Sequence, residues 1–326
     1  MKTALTICLL IAALTGFTQK KQNVYFFRDS YHVASIDSAD FIRIISEPDS
    51  GSKLYNVTDY YKNGKRKLIG KSSTIDPQKF QGQVATFHEN GKRESVAEYE
   101  DNVLIGDEYD YFFNARLFMV KTHHKEKQKD GHFDYSFVVT AAYDSLGNQQ
   151  VTDGAGYFKG NNFNNSIQSK GDSIIEEGNL KNGKREGDWK GKTDRGTFVE
   201  TYNNNVLVSG IFIDKNGIVT KYSERMTQPT FTGGLIEFNR FLAHNIHYPS
   251  YERDRNIMGK VYIGFVVERD GSLSNFKVAI PVSPGLDDAA LKGVMASPPW
   301  LPGKAFGKLE RMSFVVPVSF TITDAK

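Results

Sequence analysis

Hydrophobic residues in the last third of the chain recur at the spacings of regular secondary structure. One set has the three-to-four-residue spacing of a buried helix face: Leu235, Phe238, Phe241, Leu242 and Ile246. A second set alternates with period two, as in a half-buried strand: Val261, Ile263, Phe265 and Val267. Tyr248-Pro249 should end the helix, because the residue before proline is pushed out of the α region. Asp270-Gly271 should turn the strand into a hairpin.

The rest of this C-terminal pattern predicts a second helix and a final strand. Ser283-Pro284 is typical of a helix start. The buried side of this helix is expected at Leu286, Ala289, Ala290, Leu291 and Val294. The last strand alternates through Met312, Phe314, Val316, Val318, Phe320 and Ile322. The predicted fold is therefore an α+β domain with two helices on a three-stranded antiparallel sheet.

A turn pattern recurs through the middle of the chain. Asn-Gly-Lys stands between short runs of aromatic and β-branched residues at Asn63, Asn90 and Asn182. Asn-Gly favours a type I′ hairpin turn, in which both central residues have φ > 0. A degenerate copy has Ala115 where the others have glycine. We predict a β-rich repeat domain of stacked hairpins that share one core, followed by a polar linker over residues 220–227.

These middle motifs resemble the divergent bacterial form of the MORN-like repeat family. The resemblance implies a spacer or scaffold in which the aromatic side chains pack against one another. A surface that binds a ligand or a protein is the alternative interpretation.

The first residues have the layout of an export signal. Lys2 precedes an apolar run over residues 4–14, and Gly16 and Thr18 suit the small positions before a cleavage site. The alternative is an uncleaved anchor in the inner membrane, although the run is short for the roughly 20 residues of a spanning helix. The predicted organisation is a leader at 1–19, the β-rich domain at 20–225 and the α+β domain at 226–326, with the mature protein in the periplasm.

Composition and motifs argue against several functional classes. The 41 basic and 38 acidic residues leave a net charge of only +3, which does not indicate a nucleic-acid partner. The only cysteine is Cys8, so the body of the chain contains no disulfide or cysteine metal site. His123, His124 and His132 lack a zinc-ligand spacing, and no nucleophile elbow or phosphate-binding loop is present. We therefore expect no catalytic residue, metal, cofactor or small-molecule substrate, and no enzymatic activity.

Several spaced motifs carry a second, more specific resemblance. They are Asn245-Ile246-His247-Tyr248-Pro249, Ile257-Met258-Gly259-Lys260-Val261, Val267-Glu268-Arg269-Asp270-Gly271 and Trp300-Leu301-Pro302-Gly303-Lys304. In this order they resemble the TonB C-terminal domain family, over about residues 228–322. One departure is Glu252, where the family usually has alanine. Trp300 is expected to pack in the core rather than to contact a partner.

The TonB resemblance implies a partner and a binding site. Domains of this family bind the TonB box, a short peptide of an outer-membrane transporter, as an added strand, and they transmit energy from the inner membrane. The implied partner-binding residues are Asn245, Tyr248, Pro249, Arg311, Ser313, Val315, Pro317 and Ser319. Inner-membrane motor proteins are further candidate partners. The alternative is a periplasmic scaffold without energy coupling, because repeats replace the usual proline-rich segment.

Overall fold

The structure is a computed structural model that describes residues 20–28, 31–33, 35–161, 163 and 174–322. The predicted leader, with Cys8, lies outside the described residues. Over the described ranges, no helix is long and apolar enough to cross a membrane. The chain forms two compact units, one of Met1–Ala115 with His123–Tyr135, the other of Arg116–Thr122 with Ser136–Lys326.

The first unit is built from short antiparallel strands. They are β1 (Gln22–Arg28), β2 (Tyr31–His32), β3 (Phe41–Ser46), β4 (Tyr55–Tyr61), β5 (Arg66–Ser72), β6 (Gly82–Phe87), β7 (Arg93–Glu100) and β8 (Val103–Tyr111). A 3-10 turn at Ile36–Ser38 precedes β3. From β3 to β8 each strand pairs with the next, and β1 pairs with β2 and β3. This is the predicted succession of hairpins.

The second unit begins with another run of hairpins. Two longer strands, β9 (Leu117–Lys127) and β10 (Phe133–Tyr143), each contribute residues to both units. The following strands are β11 (Gln149–Thr152), β12 (Ala155–Asn161), β13 (Ile175–Lys181), β14 (Lys184–Lys192), β15 (Gly196–Asn203), β16 (Val206–Asp214) and β17 (Val219–Tyr222). Each pairs antiparallel with its successor from β10 to β17. The prediction of a β-rich region of stacked hairpins is confirmed.

Glycines in this second run lie opposite aromatic rings on the neighbouring strand. The directly paired residues are Gly178 with Trp189, Gly191 with Phe198, and Gly210 with Tyr222. A Cβ at these glycines would lie between 2.0 and 2.4 Å from the facing ring. Since the rings occupy the space that a Cβ would need, these strands require glycine for packing and not for a special backbone conformation.

The hairpin turns differ from the prediction in one respect. Only Asn182, of the three predicted Asn-Gly turns, has positive φ together with its glycine, as type I′ requires. At Asn63 and Asn90 only the following glycine is left-handed, and the asparagine Oδ1 accepts a hydrogen bond from the backbone N–H two residues on. This Asx bond favours the right-handed turn, so the expectation of type I′ at these two places was wrong. Ala115 does adopt a left-handed conformation, with φ of 71°.

The C-terminal part of the second unit is the predicted α+β module. Its elements are β18 (Met226–Thr227), α1 (Gly234–Asn245), α2 (Ser250–Asp254), β19 (Gly259–Val267), β20 (Leu273–Ile280), α3 (Pro284–Met295), β21 (Lys304–Ala305), β22 (Lys308–Leu309) and β23 (Met312–Phe320). The three-stranded sheet has the order β20–β19–β23. The fold class is confirmed, and α2 and the short strands are additions to it.

One hydrophobic core holds this module together. Alternate residues of β19 and β23 pack against the apolar sides of α1 and α3, and every buried member comes from residues 231–320. Trp300 is 3% exposed, and its ring contacts Phe231, Phe238, Phe265 and Phe314. Leu235 was placed on the buried helix face, but it is 59% exposed because it lies in the first turn, ahead of the packed side.

Residues 220–227 do not form the expected linker: 220–222 belong to β17, 226–227 belong to β18, and Arg225 between them joins a buried ion-pair cluster. Arg225 bonds the carboxylates of Glu176 and Glu200, and Tyr222 donates to Glu200 at 2.7 Å. Burial acts to raise the pKa of Glu200, but hydrogen bonds and the charge of Arg225 hold it below its ordinary value. Polar side chains of this segment therefore pair with buried carboxylates of the same unit.

The module also packs directly on the preceding strands. Phe306 is buried and lies 5.3 Å from the ring of Phe198 and 4.9 Å from that of Phe212, measured between centroids. Its φ is 51°, unusual for a bulky residue, and the following Gly307 is also left-handed. Its backbone N–H donates to the Arg225 carbonyl at 2.7 Å. The turn between β21 and β22 thus inserts an aromatic ring between the strands and the module.

Candidate functional site

The candidate site lies at β23, an outer strand of the three-stranded sheet. Among the described residues of this sheet, β23 pairs only with β19, in continuous register from Gly259 opposite Phe320 to Val267 opposite Met312. Its burial alternates along the strand, with the core-facing side chains at even numbers. Ser313, Val315, Pro317 and Ser319 are exposed on the opposite face. Four of the predicted partner-binding residues thus lie in one row along an edge strand.

Pro317 indicates which backbone groups face the open edge. Proline has no N–H, so within a regular ladder it fits where its backbone points away from the paired strand. Pro317 lies opposite Tyr262 with no shift of register. Backbone direction alternates along an antiparallel strand, so the N–H groups of Ser313, Val315 and Ser319 share the outward direction of Pro317. The edge therefore presents a row of main-chain groups to an incoming strand.

A cleft opens between the end of β23 and α1. Its volume is about 390 Å³, and its lining includes Leu242, Ala243, Ile246 and Tyr248 from the helical side and residues 317–321 from the strand. The sequence prediction missed Asn239 and Ala243 as members of this site. Their spacing with Ile246 places them along one side of α1, but apolar periodicity alone assigned that side to the core.

Tyr248 of the Tyr-Pro segment lines the cleft and contacts residues on either side of it. The Tyr248 hydroxyl donates to the Ile257 carbonyl at 2.7 Å, and its ring meets Phe320 edge-on, 5.5 Å between centroids. Pro249 occupies the N-cap position of α2. Asn245 is exposed at the end of α1, where its Nδ2 donates to the Phe241 carbonyl at 2.8 Å. Of these three predicted residues, only Tyr248 lines the cleft.

Arg311 lies at the other end of the strand and already has a partner. Its Nε donates to both carboxylate oxygens of Glu268, at 2.9 and 3.0 Å. A hydrogen bond from Ser274 and the charge and hydrogen bond of Arg311 hold the pKa of Glu268 below its ordinary value. The structure does not bring Arg311 near the cleft lining, so the predicted residues divide between two ends of β23.

Glu252, the departure noted from the family pattern, has a defined structural role. It is only 4% exposed, and its Oε1 accepts hydrogen bonds from the Gly285 backbone N–H at 3.0 Å and the Ser283 hydroxyl at 3.2 Å. Both donors lie at the start of α3, where Ser283 is the N-cap. A carboxylate is favourable there because it accepts from unpaired N–H groups and faces the positive end of the helix dipole.

Two of the histidines considered as metal ligands are paired with carboxylates. His123 pairs with Glu108 at 2.8 Å, and His132 contacts Asp130 and Asp134 in its own turn. Over the described ranges, no group of three or more His, Cys, Asp or Glu side chains is arranged to hold a metal ion.

Comparison with known families identifies the module that contains this site. Residues 244–322 match the family described as the Gram-negative bacterial TonB protein C-terminal. The match begins near the end of α1 and closes two residues after β23, so it includes the edge strand and the Tyr-Pro segment. No curated protein and no solved structure matches the chain. The match supports a TonB-like envelope protein that acts in energy transduction or partner binding, with outer-membrane transporters as the partners of such domains.

Proposed function

We propose that the TonB-like domain of this chain binds a TonB-box-like peptide of an outer-membrane transporter by strand addition at β23. In this proposal the chain is an exported, non-enzymatic protein of the periplasm. The observation that carries it is the outward row of backbone groups on β23, which ends beside the cleft under α1. Strand addition needs an unpaired edge and, for specificity, a pocket for alternate side chains; the outer position of β23 and the cleft at its end support the proposal on both counts.

The geometry favours a particular peptide. An added strand continues the sheet, so its side chains alternate between the helix side and the solvent side. Those on the helix side near residues 317–321 would enter the cleft, where Leu242, Ala243 and Ile246 offer apolar contacts. Those on the other side would lie beside Val315 and Pro317, which are exposed. We therefore expect a peptide with an apolar residue at one cleft-facing position and little selection elsewhere.

Main-chain hydrogen bonds should provide much of the affinity. Each contributes roughly 0.5–1.5 kcal/mol net, so loss of a side chain on the exposed row should matter little. Val315→Ala should leave binding almost unchanged. Val315→Pro and Ser319→Pro each remove one outward donor and should weaken binding about three- to tenfold, since a factor of ten corresponds to about 1.4 kcal/mol.

A peptide titration followed by amide chemical shifts tests the proposal. The probes are TonB-box-like peptides from the host's own transporters, added to the ¹⁵N-labelled chain from residue 20 onward. Ala243→Phe should fill the cleft and weaken binding, whereas His244→Phe, at the next position of α1 but outside the lining, is the matched control. Shifts should concentrate at residues 313–321 and in the second half of α1.

Two results would count against strand addition. Shifts confined to the hairpin region, or no binding by any such peptide, would favour the periplasmic scaffold without energy coupling. Equal loss of binding in the alanine and proline variants would indicate side-chain recognition instead of a ladder. Contact with inner-membrane motor proteins is a further proposal that requires an anchored N-terminus, and N-terminal sequencing of the exported protein distinguishes an anchor from a cleaved leader.

A further inference from the structure

The outward face of β15, β16 and β17 carries an apolar patch that the peptide site does not use. Val199 lies opposite Ile211, and Ile213 lies opposite Val219 in the next row. These four aliphatic side chains are between 39% and 57% exposed. Directly opposed residues on one face of a sheet lie about 5 Å apart, so the four form one continuous patch, here called the aliphatic face.

Lysines flank the aliphatic face on both sides. Lys190 lies opposite Val199, and Lys192 opposite Thr197, on the β14 side. Lys221 lies opposite Ile211 on the β17 side. Among the residues that the structure describes, no carboxylate forms an ion pair with these three lysines.

Acidic side chains near this face are already engaged. Glu177 lies opposite Lys190 but pairs with Lys159 at 2.9 Å. Asp188 accepts a hydrogen bond from Thr201 at 2.8 Å. The face therefore combines an aliphatic centre with a border in which lysines outnumber carboxylates.

The C-terminal module leaves this face uncovered. Phe198 and Phe212, which receive Phe306, alternate with Val199, Ile211 and Ile213 along β15 and β16. Because successive side chains of a strand point to opposite faces, the module packs on the side of the sheet away from the aliphatic face.

We propose that the aliphatic face rests on an anionic phospholipid surface. Aliphatic tips would enter the boundary of the acyl chains while the lysine stems extend so that the ammonium groups reach lipid phosphates. A second copy of the chain fits poorly, since face-to-face packing would bring the lysine-rich borders together. A lipid surface supplies both an apolar layer for the aliphatic side chains and negative charge for the lysines.

Vesicle flotation of the chain from residue 20 onward tests this inference. Vesicles of phosphatidylcholine alone are compared with vesicles of equal parts phosphatidylcholine and phosphatidylglycerol. We expect binding to the anionic vesicles that decreases as salt is added. Lys190→Gln with Lys192→Gln should weaken this binding by about thirtyfold, taking roughly 1 kcal/mol for each lysine near an anionic surface. Ile211→Ser with Ile213→Ser should also weaken it.

A charge-matched variant distinguishes binding through the aliphatic face from a general effect of the protein's net charge. Lys260→Gln with Lys277→Gln removes two exposed strand lysines of the C-terminal module and should leave binding unchanged. Far-UV circular dichroism should match the parent for all three variants, and the thermal transition should match it for the two lysine variants, because those side chains are exposed. No flotation with anionic vesicles, equal flotation with neutral ones, or an equal loss in the charge-matched variant would overturn the proposal. Peptide binding at β23 is measured separately, so the two proposals can fail independently.

Discussion

The contact between Glu252 and Gly285 predicts a specific pattern of non-additive stability changes. The Glu252 carboxylate occupies the place where a side chain at residue 285 would begin, because a Cβ there would lie 2.1 Å from Oε1. Gly285→Ala should therefore destabilise the parent chain, since a buried, doubly bonded carboxylate must shift.

Gly285→Ala should have the opposite effect on stability once the Glu252 carboxylate is removed. Glu252→Ala loses a charged acceptor at the start of α3 and should cost about 2–3 kcal/mol, from hydrogen bonds of roughly 1.5–3 kcal/mol with a partial offset from the desolvation of the charge. In that background the space at Gly285 is free. Gly285→Ala should then stabilise the chain by up to about 1 kcal/mol, the helix-propensity difference between the two residues.

Urea unfolding of the four proteins of this double-mutant cycle measures the coupling. The expected interaction free energy between the two positions is about 1–4 kcal/mol, from an overpacking cost of about 1–3 kcal/mol and a gain of up to about 1 kcal/mol, above the roughly 0.5 kcal/mol within which independent sites add. Glu252→Gln is the control, because it keeps the volume and should keep the clash with an alanine at 285. If Gly285→Ala had the same effect in both backgrounds, the carboxylate would not be what excludes a side chain there.

Four further outcomes are expected from unfolding experiments. The 228–326 fragment should unfold cooperatively because its core is self-contained, and a gradual transition would contradict this. Trp300→Ala should cost about 3–5 kcal/mol through the cavity it leaves, and unchanged stability with lost peptide binding would place the ring in the site. Ala115→Gly should raise the free energy of unfolding by about 0.5–1 kcal/mol, since the strain of a left-handed alanine exceeds the entropy cost of glycine. An unchanged free energy of unfolding would show that Ala115 is not strained. Glu200 has a lowered folded pKa, so the contribution of its pairing with Arg225 should be complete above about pH 4.5 and decline below it. The stability deficit of Glu200→Gln should therefore shrink in acid, and a deficit independent of pH would rule this out.

Features that depend on local periodicity could be predicted from the sequence. The elements of the module were anticipated because each buries one face at its own period, as the alternation of Val261 to Val267 shows. The N-cap at Ser283 was equally local. For the candidate site, the position of the last strand was predicted in the same way, whereas its partner came only from the family resemblance.

Features that depend on residues distant in sequence could not be predicted. Arg225 looked like part of a polar linker because its partner Glu200 is 25 residues away. Glu252 looked like an unexplained substitution because its donors are 31 and 33 residues away. Ala243 looked neutral, since a cleft is a gap between two surfaces and leaves no periodic signal. Phe306 was unremarkable in the sequence, as its packing depends on rings from two other strands.

The pairing of glycines with rings bears on how such a sheet can grow by duplication. β14 carries the ring of Trp189, which covers a glycine of β13, and also Gly191, which is covered from β15. A strand of this kind therefore provides an aromatic ring that covers the glycine of the preceding strand, and a glycine that leaves space for the ring of the following strand. A duplicated copy would fit beside its parent without any change in the parent. Lineages could lengthen or shorten the array strand by strand, and only the first and last members would need sequences of their own.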